Sequence, residues 1–237
     1  MHPLTRPPAQ RAGDYCPAEA TSPTSCPPHS ESPAASISVE ACTAAAGYHG
    51  SAGGSMTLCP AGSYCPSGAT APTACPANTN SAAGSSDASS CKAVAGYYGP
   101  AGSAAEACPE GSYCPDKAAT ASSCPSFTTS PAGTSAITAC TPSAGRFGAP
   151  GTAASICPAG SYCPAGAADA TACPAHTTSN SGSSGVDECL PLAGFAGALG
   201  SEAVACTVIS SPLVLSCAAF SHVCLFAACP CGPTPSP

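Results

Sequence analysis

The stretch Cys59–Pro66, CPAGSYCP, decides how this chain is built, because it returns as CPEGSYCP at Cys108–Pro115 and as CPAGSYCP at Cys157–Pro164. The interval is constant, 108 − 59 = 49 and 157 − 108 = 49. One further step back reaches Gln10, where QRAGDYCP reads as a copy without its first cysteine. A fixed internal period of this length marks a tandem array in which every unit repeats one design. The repeats are expected over residues 1–58 (a partial first copy), 59–107, 108–156 and 157–206, with an apolar tail over 207–237.

Within each copy the cysteines advance by 6, 10, 16 and 17 residues, as in Cys59, Cys65, Cys75, Cys91 and Cys108. Sixteen keep this register and are candidate disulfide cysteines: Cys16, Cys26, Cys42, Cys59, Cys65, Cys75, Cys91, Cys108, Cys114, Cys124, Cys140, Cys157, Cys163, Cys173, Cys189 and Cys206. Tyr15, Tyr64, Tyr113 and Tyr162 precede the second cysteine of each copy, and Pro17, Pro66, Pro115 and Pro164 follow it. Pro27, Pro76, Pro125 and Pro174 follow the third. Behind the fourth comes a glycine-aromatic segment: AGYHG at Ala46–Gly50, AGYYG at Ala95–Gly99, AGRFG at Ala144–Gly148 and AGFAG at Ala193–Gly197. Glycine and proline thus stand where turns are needed, and one aromatic per half-unit is left to pack on a disulfide.

These residues resemble the ephrin-receptor-like cysteine-rich repeat, also called the GCC2/GCC3 repeat, a family similar in style to the tumour-necrosis-factor-receptor cysteine-rich modules. The resemblance covers roughly residues 12–206 and rests on C-P-A-G-S-Y-C-P, C-P-A-x-T, a Gly-Ser-Ser segment such as Gly84–Ser86, and A-G-Y-Y-G. The chain departs from it in carrying the single Cys91, Cys140 or Cys189 where many members have C-x-x-C, so the family's pairing does not transfer. The resemblance implies an extracellular module, and no kinase motif accompanies it.

Composition argues the same way without a family. The 237 residues include no Trp, two Met, five Phe and seven Tyr, and much of the 44% hydrophobic fraction is alanine and cysteine. Burying alanine yields far less than the ~1.5–3 kcal/mol of a Val, Leu or Phe side chain. Twenty cysteines in 237 residues approach the level of a disulfide scaffold, where each closed loop contributes ~2–4 kcal/mol. No apolar period of 3.6 or sustained period of two is visible, so the fold class is small disulfide-rich repeats: an elongated array of loop-rich modules with short strands and little helix.

Such bonds persist in oxidising compartments, which points to the extracellular space or cell surface. The first fifteen residues hold no apolar export core, and the chain is therefore expected to be a fragment. Five Lys plus Arg against twelve Asp plus Glu leave no basic patch for nucleic acid or anionic membranes. After Cys206 the period fails, since positions 212 and 222 hold Pro212 and His222. Residues 207–229 are uncharged and long enough to span a bilayer. A membrane anchor and a non-native ending from a misjoined reading frame stand side by side as readings of this tail.

No catalytic, cofactor or metal residues emerge. The five histidines, at 2, 29, 49, 176 and 222, read as scattered rather than in phase, with His49 and His176 expected on solvated loops. Zinc sites want cysteines two to four apart, whereas the repeats offer 6 and 10; only the tail's Cys229 and Cys231 come close. Asp187 and Glu188 occur in one repeat alone, and no D-x-D-x-D spacing suits calcium. Tyr64, Tyr113 and Tyr162 suit packing on the neighbouring disulfide, or a ligand-facing row. No Asn-x-Ser/Thr sequon is present, while the Ser/Thr/Pro-rich loops leave O-glycosylation open.

Two functions remain: a non-enzymatic extracellular or cell-surface module, structural, adhesive or ligand-presenting, whose partner is an extracellular protein or glycan; or a thiol-rich metal-binding protein in a reducing compartment. The spacing of the cysteines favours the first. For connectivity, parity over the sixteen cysteines favours backward pairing, Cys65 with Cys75 and Cys91 with Cys108, with the crossed alternative Cys65 with Cys91 and Cys75 with Cys108.

Overall fold

A computed structural model describes residues 11–208 and 215–217. They fall into two compact units. One runs to Pro109 and takes in Cys114–Ser122 and Ala132–Ser135; the other holds Glu110–Tyr113, Ser123–Pro131 and the chain from Ala136 on. Both are built of two-residue antiparallel strand pairs joined by turns, as the glycine and proline positions predict.

The second repeat illustrates the design. Its first ribbon pairs Ser63–Tyr64 with Thr73–Ala74, its second pairs Thr79–Asn80 with Lys92–Ala93, and its third pairs Tyr97–Tyr98 with Glu106–Ala107. In the other unit Thr128–Thr129 pairs with Thr141–Pro142, Arg146–Phe147 with Ser155–Ile156, and Ser161–Tyr162 with Thr171–Ala172, in the same registers. Among the described residues the helical content consists of single 3-10 turns ahead of each fourth cysteine: Val39–Ala41, Ala88–Ser90, Ile137–Ala139 and Val186–Glu188. Among the described residues no helix is long and apolar enough to cross a membrane; most of the apolar tail lies outside them.

The connectivity corrects both expected schemes. Cys59 is joined to Cys65, Cys108 to Cys114 and Cys157 to Cys163, with Cα atoms 5.8 Å apart in each pair. Cys26 is joined to Cys42, Cys75 to Cys91, Cys124 to Cys140 and Cys173 to Cys189, with Cα separations of 5.6 to 5.7 Å. Pairing is therefore forward, across loops of 6 and 16 residues.

The reason is local. In C-P-A-G-S-Y-C, Gly62 takes φ +77° and turns the chain back on itself. Gly47 then grips both ends of the loop: its carbonyl accepts from Cys59 N–H at 2.9 Å and its N–H donates to Cys65 C=O at 2.9 Å. Gly96 holds Cys108 and Cys114 in the same way, and Gly145 holds Cys157 and Cys163. The turn and the clamp together hold the two cysteines of each loop side by side, with Cα atoms 5.8 Å apart.

Forward pairing places the partner of Cys16 at position 10, which is Gln10. Cys16 carries a free thiol, a correction to its expected place in a disulfide. The corresponding position for Cys206 holds Pro212; Cys206 instead stands opposite Cys217 in the register of Val204–Val208 with Leu215–Cys217.

Sulfur takes the place of a conventional core. Apart from Pro142, the largest fully buried side chains are ten cysteines, and Ala44, Ala93 and Ala203 fill the space around them. Buried serines complete it. Ser32, Ser81, Ser130 and Ser179 each donate a hydroxyl to the carbonyl eighteen residues earlier, at 2.6 to 2.8 Å. Each of these four hydroxyls thereby has an acceptor, as burial of a polar group demands.

Candidate functional surface

The third cysteine of each copy is followed by a four-residue turn: Pro27–Ser30, Pro76–Thr79, Pro125–Thr128 and Pro174–Thr177. The hydroxyls of Ser30, Thr79, Thr128 and Thr177 donate back to the proline carbonyl at 2.6 to 2.7 Å, and their backbone N–H groups donate to the same oxygen at 3.1 to 3.2 Å. Closing so tight a turn drives its third residue into the left-handed region. His29, Asn78, Phe127 and His176 have φ of 61°, 59°, 63° and 61°. For a ring as bulky as that of Phe127 this is a true outlier, which persists where the surroundings over-determine it.

The determinant is a second anchor. The carbonyls of His29, Asn78, Phe127 and His176 accept from Ala45, Val94, Ser143 and Leu192 N–H at 2.9 to 3.0 Å. Each of those residues opens a turn that carries, three positions on, Tyr48, Tyr97, Arg146 or Phe195. Two planar side chains nineteen residues apart are thus brought together. His29 lies on Tyr48 with ring centroids 4.1 Å apart and 8° between planes, and His176 lies on Phe195 at 4.2 Å and 8°. In the third copy the aromatic ring is the outer member, with the Arg146 guanidinium 3.9 Å from the centroid of Phe127. In the second, Asn78 Nδ2 donates to Ala105 C=O at 3.0 Å instead.

These pairs sit at the surface: the outer members are exposed, Phe127 by 57%, and the inner members are half-buried. His29 and His176 are consequently in phase, 176 − 29 = 147 = 3 × 49, contrary to the scattered reading, and His176 is backed by a ring rather than merely solvated. Tyr64, Tyr113 and Tyr162 are half-buried, and no ring contact among the described residues involves them.

No protein-family model and no curated protein matches the chain.

The ionisable groups serve the scaffold. Glu188 Oε1 accepts from Ser184 N–H at 2.8 Å, Ser184 Oγ at 2.8 Å and Gly185 N–H at 3.1 Å, and these bonds hold its carboxyl below the usual range. Asp87 accepts from Ser89 N–H at 2.7 Å at the start of the Ala88–Ser90 turn, and hydrogen bonding from Ser89 likewise lowers its pKa. Tyr98 donates its hydroxyl to Glu106 Oε2 at 3.2 Å; that bond and the neighbouring negative charge raise its pKa. Among the described residues no group of three or more His, Cys, Asp or Glu side chains converges to hold a metal.

Proposed function

We propose that the chain is a non-enzymatic extracellular or cell-surface module of the kind its ephrin-receptor-like resemblance implies, presenting a planar side-chain pair in three of its four repeats to an extracellular protein or glycan. One observation carries the reading. The 16-residue disulfide and the buried serine recur in all four copies and the glycine-clamped six-residue disulfide in three, whereas the residues at the two facing positions change: His and Tyr, Asn and Tyr, Phe and Arg, His and Phe. Side chains that vary on an invariant frame are where recognition resides, and weak contacts repeated along one chain add through effective concentration. Rings and a guanidinium suit the apolar faces of sugars or the aromatic and acidic side chains of a protein. The seven disulfides match an oxidising compartment.

The test converts every pair to the second copy's type, with the triple variant His29→Asn, Phe127→Asn and His176→Asn. Asparagine already occupies this left-handed position at Asn78, so the frame should hold. Retention on whole cells or extracellular matrix should fall at least tenfold, with an unchanged disulfide map. Unaltered retention would remove the pairs from recognition, and turnover of any small substrate would overturn the non-enzymatic reading.

A further inference from the structure

We infer that Thr21, Thr24, Thr70 and Thr73 are acceptor sites for O-linked sugar, a modification confined to the first two repeats; the inference rests on the secretory-route reading above. The sequence places T-S-P-T at Thr21–Thr24 and T-A-P-T at Thr70–Thr73, one period apart. The corresponding segments of the later copies are A-T-A-S at Ala119–Ser122 and A-D-A-T at Ala168–Thr171, which have no proline.

Three structural facts make the first two segments substrates rather than merely Thr-containing loops. All four threonines are exposed, and none uses its hydroxyl in a hydrogen bond within the described chain, unlike Thr79 or Thr177. Pro23 and Pro72 fix their own φ and restrict the preceding Ser22 and Ala71, which form the bend through which each segment enters its strand. Each runs directly into the outer strand of a two-stranded ribbon, Thr24–Ser25 or Thr73–Ala74, whose far edge is unpaired among the described residues. A transferase cleft that takes its acceptor as an added strand would meet an ordered, open edge and a free hydroxyl together. The disulfide-held frame spares it the cost of ordering a loop.

The chemistry is a sugar transfer from a nucleoside-diphosphate sugar. Thr Oγ1 forms a bond to the anomeric carbon, the bond from that carbon to the diphosphate breaks with its electron pair leaving on the diphosphate, and the hydroxyl proton passes to a base of the transferase. Nothing is oxidised or reduced.

The experiment exports the full chain from cultured animal cells behind an added leader, and maps it by peptide mass spectrometry with fragmentation that keeps sugars attached. Expected are whole-sugar increments on Thr21, Thr24, Thr70 or Thr73 and none on Thr120, Ser122 or Thr171. The double variant Pro23→Ala, Pro72→Ala should lower occupancy at Thr24 and Thr73 at least threefold while the disulfide map stays intact. Exported protein with all seven disulfides formed but bare at all four threonines would overturn the inference while leaving the compartment reading standing. Equal modification of the proline-free segments, or occupancy indifferent to the proline variants, would also overturn it. Alkylation without reductant at any of the fourteen cysteines joined in the seven disulfides would overturn both readings.

Discussion

Gly96→Ala and Gly68→Ala make the same chemical change at nearly the same backbone angle, φ +86° and +78°, and should have unequal effects. Alanine in the left-handed region costs about 1–2 kcal/mol at either site. At Gly68 nothing lies within 4 Å of the added carbon, so that is the whole effect. At Gly96 the carbon would stand 2.6 Å from the Gly133 carbonyl oxygen, a backbone atom with no rotamer to turn aside. Gly133 must move, and its N–H donates to Cys108 C=O at 2.7 Å beside a fully buried disulfide. Leaving such a buried group unpaired adds about 1–3 kcal/mol, which is a difference between the variants of about 5- to 150-fold at roughly 1.4 kcal/mol per decade. The assay is the rate at which dithiothreitol opens Cys108–Cys114, followed by alkylation and peptide mapping, with Cys59–Cys65 as the reference in the same molecule. Gly96→Ala should speed opening of Cys108–Cys114 by that factor over Gly68→Ala and leave Cys59–Cys65 near its original rate. Equal acceleration by the two variants would refute the clash and leave only the angle.

Removing Cys75 and Cys91 together as serines should cost about 3 kcal/mol, and removing Cys59 and Cys65 about 2 kcal/mol, because loop-closure entropy grows with the number of residues enclosed; local hydrogen exchange reads both, and the reverse order would count against an entropic origin. Glu188 gives a pH signature. Its folded pKa lies below the ordinary 4.5, so the stabilisation of the Ser184–Glu188 loop is present above about 4.5 and fades as pH falls through the lowered value. A carboxyl NMR titration should find that low midpoint, Glu188→Gln should abolish the acid-dependent change in the loop amides, and a midpoint at or above 4.5 would contradict the hydrogen-bond pattern.

The parts of the fold legible in the sequence are those where one residue type is obligatory. Cysteine at steps of 6, 10, 16 and 17 gave the period, and glycine and proline gave strand ribbons joined by turns. Connectivity was not legible, because it depends on Gly47, Gly96 and Gly145 reaching across from the preceding segment to grip both ends of the six-residue loop, a contact that no count of cysteines contains. The stacked pairs were hidden for the opposite reason. The left-handed position holds His29, Asn78, Phe127 and His176, so no single letter fills it in every copy; what recurs throughout is the proline two residues before it and the Ser or Thr after it. The buried row Ser32, Ser81, Ser130 and Ser179 was in phase throughout, but serine in a Ser-rich chain carries little signal until its hydroxyl is seen to meet a carbonyl.

At the glycine clamps a steric contact is added to the left-handed backbone angle. Gly47, Gly96 and Gly145 are glycine in every copy, and a side chain there would strike the carbonyl of Gly84, Gly133 or Gly182. The turn after the second cysteine has the same handedness, φ 67°, 78°, 66° and 80°, yet holds Glu19, Gly68, Lys117 and Gly166 in succession. At Gly68 and Gly166 nothing lies near enough to forbid a side chain. Strain of about 1–2 kcal/mol is tolerated at Glu19 and Lys117. A scaffold of this kind can therefore change its exposed residues, acidic at Glu19, basic at Lys117, aromatic at Phe127, without disturbing the covalent clamps beneath them. Exchanging Gly166 for Lys should accordingly leave the Cys157–Cys163 reduction rate within a few-fold of the original, whereas Gly145→Ala should not.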